Sequence, residues 1–277
     1  MSAVILDNSL VHYEVFGRGQ PVIFLHSWLG SWRYWVPLME AIADRYRTYA
    51  IDFWGFGDSD RSRKNYSIPD YVDQVIGFMR ELGIARANLV GHGLGGMVAI
   101  RAATERPENF LKVVAACTPV IGESLTALVK PGTLARLFGR GSSADVWIKL
   151  LRQVEVGGEA MDEVIEDTAS TSTAVVEKVL DSVIEADLRS DLRRLQVPAL
   201  GIYAEKDTIV SIDQIRQFED NATNHQAILI PKGTHFPFLD QTNTIARLLL
   251  EFFASQGTTP VQIKEQWKRR TSQLEYL

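Results

Sequence analysis

The chain has 277 residues, 46% of them hydrophobic and 23% charged, a mixture that supports a sizeable core and excludes a disordered or fibrous protein. Its 29 basic and 34 acidic residues leave a net charge of −5, which offers no electrostatic footprint for nucleic acid or an anionic membrane. The single cysteine, Cys117, excludes an intramolecular disulfide and a cysteine-based zinc site.

The first ten residues, MSAVILDNSL, lack a basic region followed by a long apolar stretch, and no window reaches a membrane-spanning length free of charges. A cytoplasmic globular protein is therefore expected. Residues 10–16 (LVHYEVF) alternate in period two and lead through Gly17-Arg18-Gly19 to Val22-Ile23-Phe24-Leu25, which predicts an antiparallel hairpin. Later runs are apolar throughout: Tyr49-Ala50-Ile51, Asn88-Leu89-Val90, Val113-Val114-Ala115-Ala116, Leu200-Gly201-Ile202-Tyr203 and Ala227-Ile228-Leu229-Ile230. Strands apolar on both sides suit a parallel sheet covered on both faces. Helical patterns near 33–44, 69–83, 94–105, 211–219 and 241–254 separate them, so the fold class predicted is α/β, a doubly wound and mostly parallel sheet.

Residues 121–190 break the rhythm. They carry only helical signal, such as Val176, Val179, Leu180, Val183 and Ile184 on one face. An all-helical insertion between two parallel strands, rooted at their carboxyl ends, would cover the ligand site as a lid. Residues 1–120 and 191–255 then form the core and 121–190 the cap. Apolar residues of that cap, Leu134, Leu137, Phe138, Trp147 and Leu151, point to an apolar small-molecule substrate or ligand. The extension 256–277 reads as a short amphipathic helix packing back on its own domain, with a dimer contact as the alternative, so monomer and homodimer both remain open.

The segment Gly91-His92-Gly93-Leu94-Gly95-Gly96 falls where a strand hands over to a helix. With serine in the middle it would be G-x-S-x-G, the strained turn that lifts a nucleophile above an α/β sheet. Here the middle residue is Gly93, which has no side chain to attack with. The same six residues satisfy G-x-G-x-x-G, but the next strand ends in Ala116-Cys117-Thr118-Pro119 without the carboxylate a dinucleotide site requires. No metal or nucleotide cofactor is expected.

Four further segments stand in matching places. His26-Ser27-Trp28-Leu29-Gly30 follows one strand, and Asp52-Phe53-Trp54-Gly55-Phe56-Gly57-Asp58-Ser59 follows the next. Asp207 follows the strand at 199–204, and His235 lies in Gly233-Thr234-His235-Phe236-Pro237 after the strand at 226–230. With the elbow, acid and histidine in this order, the whole chain resembles the α/β-hydrolase superfamily, with residues 121–190 matching its cap. The resemblance implies His235 as general base, Asp207 as the acid holding its imidazole, and the N–H groups of Trp28 and Leu94 as the oxyanion hole. It implies two departures as well: Gly93 replaces the nucleophile, and Ser27 replaces the glycine usual in the oxyanion loop.

Asp52 and Asp58 are set aside as structural, and Cys117 reads as a small buried hydrophobe. A nucleophile relocated to Ser27 is not adopted, because attack demands close alignment with base and hole. The chain is then expected to be a weak or water-activated ester-type hydrolase, or a non-catalytic small-molecule binder. An inherited hydrolase pocket further predicts that Gly93→Ser alone raises ester turnover strongly.

Overall fold

The computed structural model describes residues 2–28, 30–125, 159–219, 224–256 and 260–264. Eight strands form one sheet in the order β1-β2-β4-β3-β5-β6-β7-β8. They span Ser2–Leu6, Ser9–Gly17, Gln20–Leu25, Tyr46–Ile51, Ala87–His92, Phe110–Ala116, Ala199–Ala204 and His225–Ile230. From β4 onward through β3 to β8 every pairing is parallel. The helices are α1 (Val36–Ile42), α2 (Ile68–Glu81), α3 (Leu94–Glu105), α4 (Glu159–Ser170) and α5 (Thr173–Glu185). They continue as α6 (Arg189–Arg194), α7 (Arg216–Glu219), α8 (Pro237–Asp240) and α9 (Thr242–Ala254).

The predicted hairpin between residues 10–16 and 22–25 is not formed. β2 pairs antiparallel with β1 and β4, whereas β3 crosses β4 to lie parallel between β4 and β5. The reason lies in burial. Val22, Ile23, Phe24 and Leu25 are wholly buried and need neighbours on both sides, while β2 has partly exposed positions that suit a place near the edge. The true hairpin is β1–β2, closed by Asp7 (φ 49°) and Asn8 (φ 60°), the left-handed pair that a two-residue turn requires.

The helix starts follow local chemistry. Ser67 and Asp70 close a reciprocal capping box on α2, with Pro69 in its first turn. Residues 211–219 divide into a 3-10 turn at Ile212–Ile215 and the short α7 rather than one helix.

The chain leaves β6 and returns before β7 through a narrow neck, where Ile121 bridges Asp187 and the Gly122 N–H donates to the Ala186 carbonyl at 2.8 Å. The excursion is helical where described, in α4 and α5. Asp167 of α4 accepts from the Ser31 hydroxyl and pairs with Arg33 at 3.3 Å, which ties the insertion to the loop beyond the carboxyl end of β3. The cap residues Leu134, Leu137, Phe138, Trp147 and Leu151 lie outside the described residues. Of the C-terminal extension, 260–264 has no helix. It packs back on the core with Val261 buried, its N–H donating to Gln226 Oε1 at 2.8 Å, and with Lys264 paired to Glu251 at 2.8 Å. No helix among the described residues is long and apolar enough to cross a membrane.

Candidate active site

The site is built on the carboxyl ends of adjacent parallel strands, where open α/β sheets hold their ligands. Leu25 of β3 and Gly91 of β5 are register partners. Ser27 and Gly93 therefore stand at the same offset, two residues beyond paired positions on neighbouring strands. Gly93 has φ 51° and ψ −114°, a strained conformation that glycine adopts without a Cβ penalty. Its N–H donates to the Ala116 carbonyl at 3.0 Å, pinning the turn to the end of β6. Leu94 follows as the first residue of α3, so its N–H has no intrahelical acceptor.

A Cβ built on Gly93 would run into the Ser27 hydroxyl oxygen, with the Ser27 Cβ only 3.1 Å away. A serine at 93 would therefore require the Ser27 side chain to move. The space such a side chain needs is already filled.

Asp207 and His235 come together as the sequence order implied. His235 Nδ1 donates to both Asp207 carboxylate oxygens, at 2.9 and 3.1 Å, and the two side chains are 4% and 1% exposed. The carboxylate also accepts the N–H groups of Ile209 at 2.8 Å and Val210 at 3.0 Å. Burial opposes the charge on Asp207, but His235 and these two donors outweigh it and hold the group below its ordinary 3.8. The pairing leaves Nε2 as the free basic nitrogen of a neutral His235. Two other acids that follow these strands are occupied elsewhere. Glu205 accepts the Lys232 N–H at 2.7 Å, and Asp240 accepts the Thr234 N–H at 2.6 Å, which steadies the loop carrying His235. Cys117 lies within reach of Asp207 and His235, but burial and the carboxylate push its thiol well above the usual range, so it stays protonated.

Residues not singled out in the sequence connect the two halves. The Ser27 N–H donates to the Tyr34 hydroxyl at 2.7 Å, and that hydroxyl lies 3.2 Å from His92 Nδ1. His92 Nε2 lies 3.0 Å from the His235 carbonyl, which can only accept. Nε2 is therefore the protonated nitrogen, Nδ1 accepts from Tyr34, and every bond in the chain from Ser27 to His235 has a consistent direction. Burial pushes His92 well below 6.5, which keeps it neutral as this chain requires. His26 acts similarly: its Nε2 accepts the Phe53 N–H at 2.8 Å, so its Nδ1 donates to the Ser27 carbonyl at 2.6 Å. The only legible signal for these groups was that His26 and His92 sit inside the loop and elbow motifs.

Trp28, the residue after Ser27, is buried. Asp52 holds its own loop, its carboxylate accepting the N–H groups of Trp32 at 2.8 Å and Asp58 at 3.0 Å and pairing with His12 at 2.9 Å. Asp58 pairs with Arg33 at 3.0 Å on the surface.

This sheet order, with an acid after β7 and a histidine after β8 beside a strained strand-to-helix turn, is the α/β-hydrolase fold. The family model for that fold matches residues 20–154. Among curated relatives, the chain is similar to pimeloyl-[acyl-carrier protein] methyl ester esterases. That of Stenotrophomonas maltophilia is 29% identical over 265 residues, covering 90% of this chain and 98% of the relative. That of Aeromonas hydrophila is 26% identical over 255 residues, covering 87% and 98%. Among solved structures, an N-acyl homoserine lactone degrading enzyme superposes with a TM-score of 0.78 at 22% identity, covering 91% of this chain and 100% of the other. The meta-cleavage product hydrolase of Pseudomonas fluorescens superposes at 0.75 and 24% identity, covering 91% and 97%. These likenesses support the α/β-hydrolase fold for this chain.

Proposed function

We propose that this protein hydrolyses carboxylic esters of small apolar compounds, with His235 as general base and Asp207 fixing its tautomer. The observation that carries this reading is the buried His235–Asp207 pair, tied through His92 and Tyr34 to the strand end opposite. The free Nε2 takes a proton from the attacking oxygen and later returns it to the departing alkoxide. The N–H groups of Trp28 and Leu94 bind the negative charge that develops on the carbonyl oxygen. Helices α4 and α5 of the insertion, tied through Asp167 to the loop after β3, serve as part of the lid. In its simplest form the attacking oxygen belongs to a water that His235 Nε2 deprotonates, and a positioned base of this kind contributes about 10²–10⁴ in rate.

The curated relatives are named for a methyl ester, so methyl and p-nitrophenyl esters of short and medium acyl chains make the first panel. Acid and alcohol are expected in equal amounts, faster than in buffer. The absent side chain at 93 favours a second reading, a binder that holds such compounds without cleaving them. Saturable binding with no product formed would establish that reading instead.

A further inference from the structure

We propose that the Ser27 hydroxyl is the attacking nucleophile, relocated from the elbow on β5 to the facing loop after β3. This rests on the ester-hydrolase reading above and names the attacking oxygen within it. Three observations carry the inference.

The first is position. Ser27 and Gly93 stand at equal offsets beyond the register pair Leu25 and Gly91, and the Ser27 hydroxyl oxygen fills the space a Cβ at 93 would take. Serine and glycine have exchanged places across one strand boundary, leaving a hydroxyl at the same end of the sheet. The second is that Ser27 Oγ is buried and has no hydrogen-bond partner among the described residues. A buried, unsatisfied hydroxyl is destabilising, and such a group in a native protein calls for an explanation, a catalytic role among them. The third is that the rest of Ser27 is held. Its N–H is bound by Tyr34 and its carbonyl by His26, so the hydroxyl alone is left uncommitted. The Tyr34–His92 chain also fixes this loop to the carbonyl of His235 itself, and the His92 and His235 rings pack with centroids 4.6 Å apart. One network thus holds the Ser27 backbone and the His235 backbone, while Oγ and His235 Nε2 are not hydrogen-bonded in the free protein and come into contact as substrate binds.

The exchange needs no new oxyanion hole. With serine at 93, Leu94 supplies the N–H of the residue after the nucleophile and Trp28 supplies the donor from the facing loop. With serine at 27 the two swap roles.

In the reaction, Oγ bonds to the ester carbonyl carbon as its proton passes to His235 Nε2. The carbon–alkoxy bond then breaks, and the departing alkoxide takes that proton. Water attacks the resulting acyl-Ser27 ester, giving a proton to Nε2. The carbon–Oγ bond breaks, the proton returns to Oγ, and the acid leaves.

The test uses an alkyl fluorophosphonate, which loses fluoride to an activated serine. The intact protein is expected to gain one phosphonyl group, and peptide mapping is expected to place it on Ser27. Ser27→Ala keeps both backbone bonds and removes only the orphan hydroxyl, so its Tm should not fall. It is expected to lose labelling and at least about 10³ in ester turnover. Absence of an adduct on Ser27 overturns the relocation. So does a Ser27→Ala variant that hydrolyses esters at the wild-type rate, an outcome that leaves the water-based reading standing. An adduct on Ser27 in a protein that cleaves no ester upholds the relocated hydroxyl and removes the proposed function.

Discussion

Asp207→Asn is expected to lower kcat for ester hydrolysis by about 10⁴ while leaving KM within a few-fold of wild type. The carboxylate accepts from His235 Nδ1 at 2.9 Å and so keeps Nε2 unprotonated and basic. An asparagine in its place can turn its amide N–H toward Nδ1, which moves the ring proton to Nε2 and removes the base. A loss confined to KM would show that Asp207 shapes the pocket only. The same substitution has a signature in stability. The folded pKa of Asp207 lies below its ordinary 3.8, so the stability contributed by its charge is present above that value and lost as pH falls through the lower folded one. The advantage of wild type over Asp207→Asn in chemical denaturation should therefore shrink below about pH 4 and not at higher pH.

The second large effect is a reciprocal exchange. Gly93→Ser alone is expected to give no gain in turnover, because the new side chain meets the Ser27 hydroxyl and the left-handed φ of 51° costs a non-glycine residue about 1–2 kcal/mol. Ser27→Gly alone should lose about 10³ in turnover. Joined in one protein, the two changes relieve the collision and return a hydroxyl to the elbow, so the double variant should recover most of that loss. The coupling is read by a double-mutant cycle, since residues in contact depart from additivity. A strong gain from Gly93→Ser with Ser27 in place would mean that the two positions do not compete for one space.

Much of this arrangement was legible in the sequence because it depends on order and local patterning. Apolar runs such as Val113–Ala116 and Leu200–Tyr203 marked buried parallel strands, and the glycines around position 93 marked a tight strand-to-helix turn. The chain order of Asp207 and His235 suggested a pair that the structure brings together. What was not legible depends on which strand lies beside which. Alternation in residues 10–16 located β2 but not its partner, since pairing is settled by burial across the sheet, and the Asp7-Asn8 turn went unread. The contest between Ser27 and Gly93 for one space was invisible for the same reason: 66 residues of sequence separate them, and only the β3–β5 register sets them side by side. Tyr34 and His92 carried no catalytic signature, because their role is to link two loops through hydrogen bonds that only the assembled sheet defines.

The most direct measurement is the steady-state rate of His235→Gln on an ester the wild type cleaves, with folding verified by Tm. Loss of the imidazole removes the proton acceptor for any attacking oxygen, whether from water or from Ser27. A fall in kcat to near the rate without enzyme is the predicted result, by about 10²–10⁴ if water attacks and by up to about 10⁶ if Ser27 does. Turnover at the wild-type level would contradict a base role for His235 and with it the catalytic reading of this site.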